Sequence, residues 1–252
     1  MGNCCKKISL ILVALTMLTA PQAWAVRPFI TDDAALIGFK RTELATWTFM
    51  SNGGTELWHS ANIGLANWCE LTISGLWGFS KVTDNKGFSY SLPLLQTKLL
   101  ARSYEPNGLP GVAFAFGGDI PWGKGAFVPG GYGAFAFGAV TQCFGEDENV
   151  LIHANIGSTY FREEKKNLTG LTWGIGTQVK VYKGLHGIAE IVSGDPYVHG
   201  AGMAYQFGAR YFINDFLQCD LAFGKGIGND NRTASWITGG IRYVVSFDRI
   251  KK

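Results

Sequence analysis

Histidine and cysteine are the residues of this sequence that most often carry out catalysis or bind metal ions. Its four histidines, His59, His153, His186 and His199, do not occur in an H-E-x-x-H motif, and the chain has no G-x-S-x-G or phosphate-binding loop motif. A membrane-embedded acyl hydrolase would need a serine beside a histidine on the lipid-facing side. His59 is predicted to face lipid, but no serine is predicted opposite it, so we expect no enzymatic activity and no catalytic residue.

The cysteines and the acidic turns do not form a predicted metal site either. Cys69, Cys143 and Cys219 are odd in number and lack C-x-x-C spacing, so we interpret them as small apolar residues rather than as disulfide or zinc ligands. Residues 194–196 and 229–231 are typical of turns and do not by themselves supply the converging oxygens that calcium requires. We therefore expect no metal and no cofactor.

Charged residues on one face of alternating segments are the strongest candidates for a functional site. Four acids and five bases are predicted to line a lumen: Glu43, Glu70, Lys98, Arg102, Lys180, Glu190, Arg210, Asp220 and Arg242. One interpretation is a polar pore whose basic side chains hold an anionic or polar group. The other is a network of ion pairs that fills a narrow barrel. Barrels of about eight strands are filled by side chains and those of about sixteen are hollow, so both interpretations stay open.

The elements that would position these residues are β-strands. Segments of about ten residues alternate with period two between an apolar and a polar face, and turn residues separate them. In the last segment, Ile241 and Tyr243 fall on the apolar face and Arg242 falls on the other. Twelve strands are predicted, at 41–50, 57–66, 68–79, 90–103, 110–118, 131–144, 150–162, 170–182, 185–193, 201–212, 215–224 and 234–247.

The predicted connections differ in length according to their place in the chain. Short turns follow the even-numbered strands, whereas the connections after odd-numbered strands are on average longer and rich in Gly, Asn, Asp and Lys. Outer-membrane barrels have short periplasmic turns and longer external loops, which a soluble β-sandwich has no reason to show. We therefore predict an all-β, antiparallel up-and-down transmembrane β-barrel of about 12 strands, with 10 to 14 compatible with the pattern. Residues 122–133 are interpreted as an exposed loop over the outer mouth.

The first 25 residues have the pattern of a secretory signal peptide. Two lysines precede an apolar run at 8–20, and small residues at 23 and 25 fit cleavage after Ala25. The run is shorter than the roughly 20 apolar residues of a spanning helix. The predicted divisions are a signal peptide at 1–25, a periplasmic or plug segment at 26–40, the barrel at 41–247 and a periplasmic tail at 248–252.

The composition excludes several other classes of protein. The chain has 34 glycines in 252 residues and 16% charged residues, against about 25% charge in an ordinary soluble domain. Its 47% hydrophobic content excludes a disordered chain, and glycine without a period of three excludes collagen. The formal net charge of +3 falls by two when the lysines of the signal peptide are lost, so we expect no nucleic-acid partner.

Three pieces of the predicted mature chain carry a resemblance to a known family. Residues 26–34 contain the pattern Arg-Pro-x-x-Thr-Asp-Asp, and two later pieces agree with it in order: 152–157, and 206–211 followed by 218–221. Together they resemble bacterial proteins grouped as the MetA-pathway of phenol degradation family. The resemblance implies an outer-membrane β-barrel that is loosely linked to uptake of aromatic or other hydrophobic compounds, and it assigns no residue a role.

The N-terminal motif itself is polar and precedes the first predicted strand. Its candidate plug residues are Arg27, Pro28, Thr31, Asp32 and Asp33. They are expected either to fold into the lumen against Arg210 or Arg242, or to remain in the periplasm.

These observations predict a passive outer-membrane channel or transporter for small hydrophobic or aromatic compounds. The alternative is a closed structural or adhesive barrel without transport activity. The expected partners are outer-membrane lipid, a small solute of aromatic type and the outer-membrane assembly machinery. The expected location is the outer membrane of a Gram-negative bacterium, after export through a cleaved signal peptide.

Overall fold

Long β-strands account for most of the chain in a computed structural model, which describes residues 29–82, 85–163, 166–228 and 235–247. The strands are β1 (Arg41–Ser51), β2 (Gly54–Ala66), β3 (Cys69–Ser80), β4 (Gly87–Arg102), β5 (Gly111–Asp119), β6 (Gly123–Lys124), β7 (Gly131–Phe144), β8 (Val150–Glu163), β9 (Lys166–Tyr182), β10 (Leu185–Asp195), β11 (Val198–Asn214), β12 (Leu217–Gly226) and β13 (Trp236–Ser246). The predicted signal peptide and C-terminal tail, together with Arg27 and Pro28, lie outside the described residues. Within those residues, no helix has the length and hydropathy of a membrane span.

The sheet formed by these strands closes on itself. Neighbouring strands pair antiparallel, β13 pairs with β1, and β3 pairs with β4, which completes the ring. A closed ring leaves no strand edge, so backbone N–H and C=O groups within a bilayer are paired inside the protein. The predicted twelve-stranded antiparallel barrel is confirmed. The additional strand, β6, pairs with Tyr90 and Ser91 of β4 and extends the wall beyond the end of β5.

Alternation along each strand decides which side chains face the lumen. In β13, Ile241 and Tyr243 are 55% and 50% exposed, whereas Arg242 between them is 4% exposed. Exposed aromatic side chains concentrate near the two ends of the barrel. They include Trp68, Phe144 and Tyr182 at the end that holds the short turns, and Phe79, Trp122 and Tyr132 at the opposite end. An apolar outer band between aromatic girdles is typical of a wall that faces lipid.

The strands reach further toward the outer end than the alternating pattern predicts. β2 begins at Gly54 instead of 57, and β9 begins at Lys166 instead of 170. The connection at 52–53 is therefore as short as the turn at 183–184, and the difference in loop length is smaller than predicted. The outer strand ends are rich in polar residues and glycine, so they lack an apolar face but still form ladder hydrogen bonds.

Replacing Ile156 with arginine should destabilise the inserted barrel by about 2–4 kcal/mol, because a charged side chain near the bilayer midplane must leave water. Ile156 lies in the middle of β8 and is 64% exposed on the outer wall. The measurement is the free energy of unfolding from phospholipid vesicles in guanidinium chloride, with Ile156→Leu as the control. If arginine and leucine have the same effect, this face of β8 does not contact hydrocarbon.

Candidate functional site

The part of the N-terminal segment that the structure describes, residues 29–40, enters the lumen from the end that holds the short turns, which is the periplasmic end in outer-membrane barrels. Phe29, Asp32 and Ala34 are almost completely buried there. Before Lys40, whose N–H donates to the carbonyl of Gly64, the segment is not part of a β-ladder, so most of its buried backbone donors need acceptors from side chains. The N–H groups of Ile30 and Thr31 donate to the two carboxylate oxygens of Glu190 at 2.7 and 2.8 Å.

Further backbone groups of the segment are paired one by one with polar side chains from other strands. The N–H of Ala34 donates to Oγ1 of Thr141 at 2.8 Å, and the N–H of Ile37 donates to Oε2 of Glu70 at 2.7 Å. Asn155 makes two bonds with Asp32: its Oδ1 accepts the Asp32 N–H, and its Nδ2 donates to the Asp32 carbonyl at 2.9 Å. Together with Glu190 of β10, these side chains come from four strands and fix the path of an irregular segment.

A buried ion pair joins this segment to β4. Nζ of Lys98 lies 2.6 Å from Oδ1 of Asp32 and 3.3 Å from Oδ1 of Asp33, and all three side chains are less than 10% exposed. Burial raises the pKa of the Asp32 carboxyl to about 6, and the Lys98 ammonium opposes that rise. The short distance between Asp32 and Lys98 identifies a buried salt bridge, in which each charge offsets the cost of burying the other.

Aromatic contacts and glycines of the barrel wall complete the surroundings of the segment in the lumen. The guanidinium of Arg210 lies 5.6 Å from the ring centroid of Phe29, and His153 meets the same ring edge-on at 5.7 Å. On β9, a Cβ at Gly174 would lie 2.6 Å from Oγ1 of Thr31, and one at Gly176 would lie 3.2 Å from the Phe29 ring. A side chain at Gly174 would therefore force Thr31 to move, and one at Gly176 would crowd the Phe29 ring, because the segment approaches the wall so closely.

The remaining lumen charges are arranged as pairs across neighbouring strands. Arg242 Nε lies 2.8 Å from Oε2 of Glu43, and both side chains are 4% exposed. Arg210 is directly opposite Asp220 in the ladder of β11 and β12, as Glu70 is opposite Lys98 in that of β3 and β4. Opposite charges in such cross-strand positions stabilise a sheet. Seven of the nine predicted lumen residues therefore lie inside: Glu43, Glu70, Lys98, Glu190, Arg210, Asp220 and Arg242.

Two of the nine lie at the periplasmic rim instead. Arg102 is exposed, and its Nε donates to the carbonyl of Pro110 at 2.8 Å. The register of β4 with β5 shifts just before Arg102, so simple alternation does not hold there. Nζ of Lys180 lies 3.5 Å from Asp147, with side chains 30% and 77% exposed.

Three uncharged polar or weakly basic residues at inward positions were not among the predicted site residues. Thr141, His153 and Asn155 lie on β7 and β8 and contact the N-terminal segment or each other. A prediction based on charged residues at inward positions does not include them, because they are uncharged or only weakly basic. The signal that could have found them is their spacing, because 153 and 155 share one face of a strand.

The lumen above the segment contains an inner and an outer chamber. The inner chamber has a volume of about 80 Å³ and is lined mainly by polar and charged side chains, including Asp32, Glu43, Glu70, Lys98, Asp220 and Arg242. The outer chamber is larger, about 320 Å³, and includes Leu76, Phe127, Val128 and Phe161 in its wall. Trp58, Leu94 and Tyr197 line both chambers and separate them.

Two outer connections fold inward to form the outer chamber. Tyr197, in the turn between β10 and β11, donates through its hydroxyl to Oε1 of Gln96 at 3.0 Å and meets Phe135 edge-on at 5.1 Å. The N–H of Phe127, between β6 and β7, donates to Oγ of Ser89 at 2.8 Å. Part of the stretch predicted as an exposed loop therefore lies against the inner wall.

His59 lies on the outer wall, where its Nε2 accepts a hydrogen bond from Nε1 of Trp77 at 2.7 Å. Among the described residues, no group of three or more His, Cys, Asp or Glu could hold a metal ion. Cys69, Cys143 and Cys219 are free thiols.

Comparison with protein families and curated proteins gives one match. Residues 85–245, more than half of the chain, match the family model described as Uncharacterised conserved protein UCP029691. No curated protein matches the sequence. The matched region begins after the N-terminal motif, and the description of the family does not mention phenol degradation, so the resemblance to the phenol-degradation family is not confirmed.

Solved structures of similar fold are outer-membrane barrels. The COG4313 outer membrane channel from Pseudomonas putida F1 has a TM-score of 0.62 and 12% identity, and the similarity covers 84% of this chain and 97% of that one. The KdgM porin in complex with disordered oligogalacturonate and the NanC porin have TM-scores of 0.56 and 0.55, with 11% and 8% identity. Each of these similarities covers 80% of this chain and 98% of the other. At such identities they show the fold, and the closed barrel with its apolar outer wall belongs to the outer membrane of a Gram-negative cell.

Replacing Lys98 with methionine should destabilise the protein by about 3–5 kcal/mol, because Asp32 and Asp33 would remain buried without their cation. The matched control is Lys180→Met, which removes a partly exposed partner of Asp147 and should cost less than about 1 kcal/mol. The free energy of unfolding from vesicles measures both. Equal losses in the two variants would contradict the role of Lys98 as an anchor of the N-terminal segment.

Proposed function

Since the chain belongs to the family described as Uncharacterised conserved protein UCP029691, whose description names no solute, we propose its function from the structure: an outer-membrane channel for small hydrophobic or aromatic compounds. The proposal concerns a passive route, because the lumen contains charged pairs, chambers and an irregular segment rather than a catalytic arrangement. Its expected partners are outer-membrane lipid, the solute and the assembly machinery that inserts barrels.

The outer chamber is the observation that carries this proposal. Its volume of about 320 Å³ falls in the range of small-molecule sites, and its walls are predominantly apolar. The aromatic side chains that line it are Trp58, Phe127, Phe161 and Tyr197. A solute with an aromatic or aliphatic body gains free energy by leaving water for such a site.

The periplasmic half of the lumen supports a second element of the proposal, the N-terminal segment as a plug. Asp32 forms part of the inner chamber wall, and the segment is anchored by Lys98 and Glu190. A solute in the outer chamber therefore meets polar, paired side chains and then the segment. We propose that the segment must shift before anything larger than water or a small ion passes.

The closed structural or adhesive barrel is the second candidate function. The observation that favours it is the number of buried pairs, in which Lys98 and Arg242 are neutralised by Asp32 and Glu43. The two candidates differ in whether release of the segment opens the lumen.

Releasing the segment should raise the single-channel conductance in planar bilayers severalfold. The double variant Lys98→Met/Glu190→Leu removes the buried cation and the acceptor for two backbone N–H groups. The control Lys180→Met/Asp147→Asn makes matching changes of charge at the rim and should conduct like the wild type. Folding of each variant is checked by the difference in gel mobility between unboiled and boiled samples.

Two results of this experiment separate the candidates. If the folded wild type and the released variant both leave the bilayer tight to ions, the closed structural or adhesive barrel accounts better for the chain. If the released variant conducts, reversible reduction of its current by millimolar phenol would support the aromatic solute. A current that phenol does not change would contradict that part of the proposal.

A further inference from the structure

Three basic side chains lie on the outside of the barrel wall at its outer end. Lys124 ends β6, and Arg162 and Lys225 are the last residues but one of β8 and β12. All three are exposed, and Arg162 and Lys225 continue the alternation that places Ile156 and Leu221 on the outer wall. Their positive charge is therefore presented to the surrounding membrane.

Each of these bases is directly opposite a tyrosine of a neighbouring strand. The pairs are Lys124 with Tyr90, Arg162 with Tyr132, and Lys225 with Tyr205. Residues directly opposite each other in a ladder place their side chains on the same face of the sheet, with Cβ atoms about 5 Å apart. Tyr132 is 63% exposed and Tyr205 is 38% exposed, so their rings lie on the outer wall beside the bases.

Further exposed aromatic rings lie around two of these pairs. The Tyr90 ring centroid is 6.3 Å from that of Phe88 and 6.4 Å from that of Trp122, and both neighbours are more than half exposed. On the wall below Lys225, the ring of Phe223 meets that of Phe207 at 5.7 Å. Aromatic rings on the lipid-facing wall mark the level of the lipid headgroups. The bases therefore lie at headgroup depth.

Tyrosines of the outer wall at the periplasmic end have different ladder partners. Tyr211 is opposite Leu185 and Cys219, and Tyr243 is opposite Leu44. Pairing of a tyrosine with a base thus distinguishes the outer end of the barrel. The two leaflets of a Gram-negative outer membrane differ in the same sense, because the outer leaflet is built of a glycolipid that carries phosphate groups.

We propose that the base–tyrosine pairs of the outer end bind the phosphate groups of this outer-leaflet glycolipid. Ammonium, guanidinium and phenolic O–H groups are hydrogen-bond donors, and phosphate oxygens accept from all of them. Arg162 also has Asn167 opposite it on β9, where the Tyr160 hydroxyl donates to Oδ1 of Asn167 at 3.0 Å. The amide of Asn167 supplies a further donor at this pair. The inference concerns the outer wall and does not depend on passage of a solute through the lumen.

The test uses the folded protein in detergent and two probes that differ only in phosphate: bisphosphorylated lipid A and the same glycolipid after removal of its phosphates. Native mass spectrometry of lipid titrations measures binding. The wild type should bind the phosphorylated probe at least about tenfold more tightly, because each base near an anionic headgroup adds attraction. The triple variant Lys124→Gln/Arg162→Gln/Lys225→Gln should lose this preference and keep the affinity for the phosphate-free probe.

A matched control removes two lysines and one arginine from the periplasmic end. Arg102→Gln/Lys180→Gln/Lys183→Gln causes the same loss of charge and should keep the preference for phosphate. Equal losses in the two triple variants would overturn the inference, because the net charge alone would then account for binding. Equal affinities of the wild type for the two probes would overturn it as well.

A third variant tests the tyrosines separately from the charge. Tyr90→Phe/Tyr132→Phe/Tyr205→Phe keeps the rings and the bases and removes the hydroxyl donors, so the affinity for the phosphorylated probe should fall about threefold to tenfold. An unchanged affinity would contradict the assignment of the pairs as phosphate sites. The difference in gel mobility between unboiled and boiled samples establishes that each variant is folded.

The outcomes are independent of the proposed channel. If the released variant conducts in bilayers but phosphate does not affect lipid binding, the lipid site is wrong and the channel stands. If lipid binding shows the expected dependence on the three bases but no variant conducts, the lipid site stands and the channel is wrong.

Discussion

The absence of water from the bilayer core is the constraint on which this structure depends. Lipid cannot hydrogen-bond to backbone groups, so the strands must close into a ring, and the pairings of β13 with β1 and β3 with β4 complete it. The same constraint sorts the side chains, because apolar residues can face lipid and charged residues cannot. The charges of the strands therefore collect in the lumen, where they must be neutralised by one another or by another part of the chain.

A ring of twelve strands is wider than one that its own side chains fill, and the N-terminal segment supplies part of the missing volume. Backbone N–H groups of the segment lack a partner in a β-ladder, and buried carboxylates of the lumen need hydrogen-bond donors. Glu190 satisfies both requirements, because its two carboxylate oxygens accept hydrogen bonds from N–H groups of the segment. Acidic side chains that suggest a solute site from sequence alone thus serve in part as the docking site of the chain itself.

Much of the fold could be predicted because period-two alternation is a local property of each strand. The twelve strands and the inward position of Arg210, Asp220 and Arg242 follow from it directly. The predicted side-chain positions and strand ends differ from the structure where the period-two alternation is interrupted or absent. Arg102 follows a shift in register, and the polar outer ends of β2 and β9 lack an apolar face.

The path of the N-terminal segment could not be predicted, for a different physical reason. Its position depends on single polar atoms of Glu70, Thr141, Asn155 and Glu190, which lie between 33 and 160 residues away in the sequence. No local pattern encodes such contacts. The nearby glycines of β9 leave room for the segment, but this can be recognised only when the position of the segment is known. From sequence alone, a glycine in a strand is equally compatible with a bend.

The two ends of the lumen have different tasks in this arrangement. The outer chamber is roomy and mostly apolar, whereas the inner chamber, at about 80 Å³, has room for several water molecules and is surrounded by paired charges. Under the proposed function, a solute with a ring would find its favourable environment in the outer chamber, and its further movement would depend on the contacts of Asp32 with Lys98 and Asn155. The proposal thus assigns recognition and closure to different residues on different strands. A change in the aromatic walls can alter which solute binds without loosening the segment, and a change at Lys98 can loosen the segment without altering the walls.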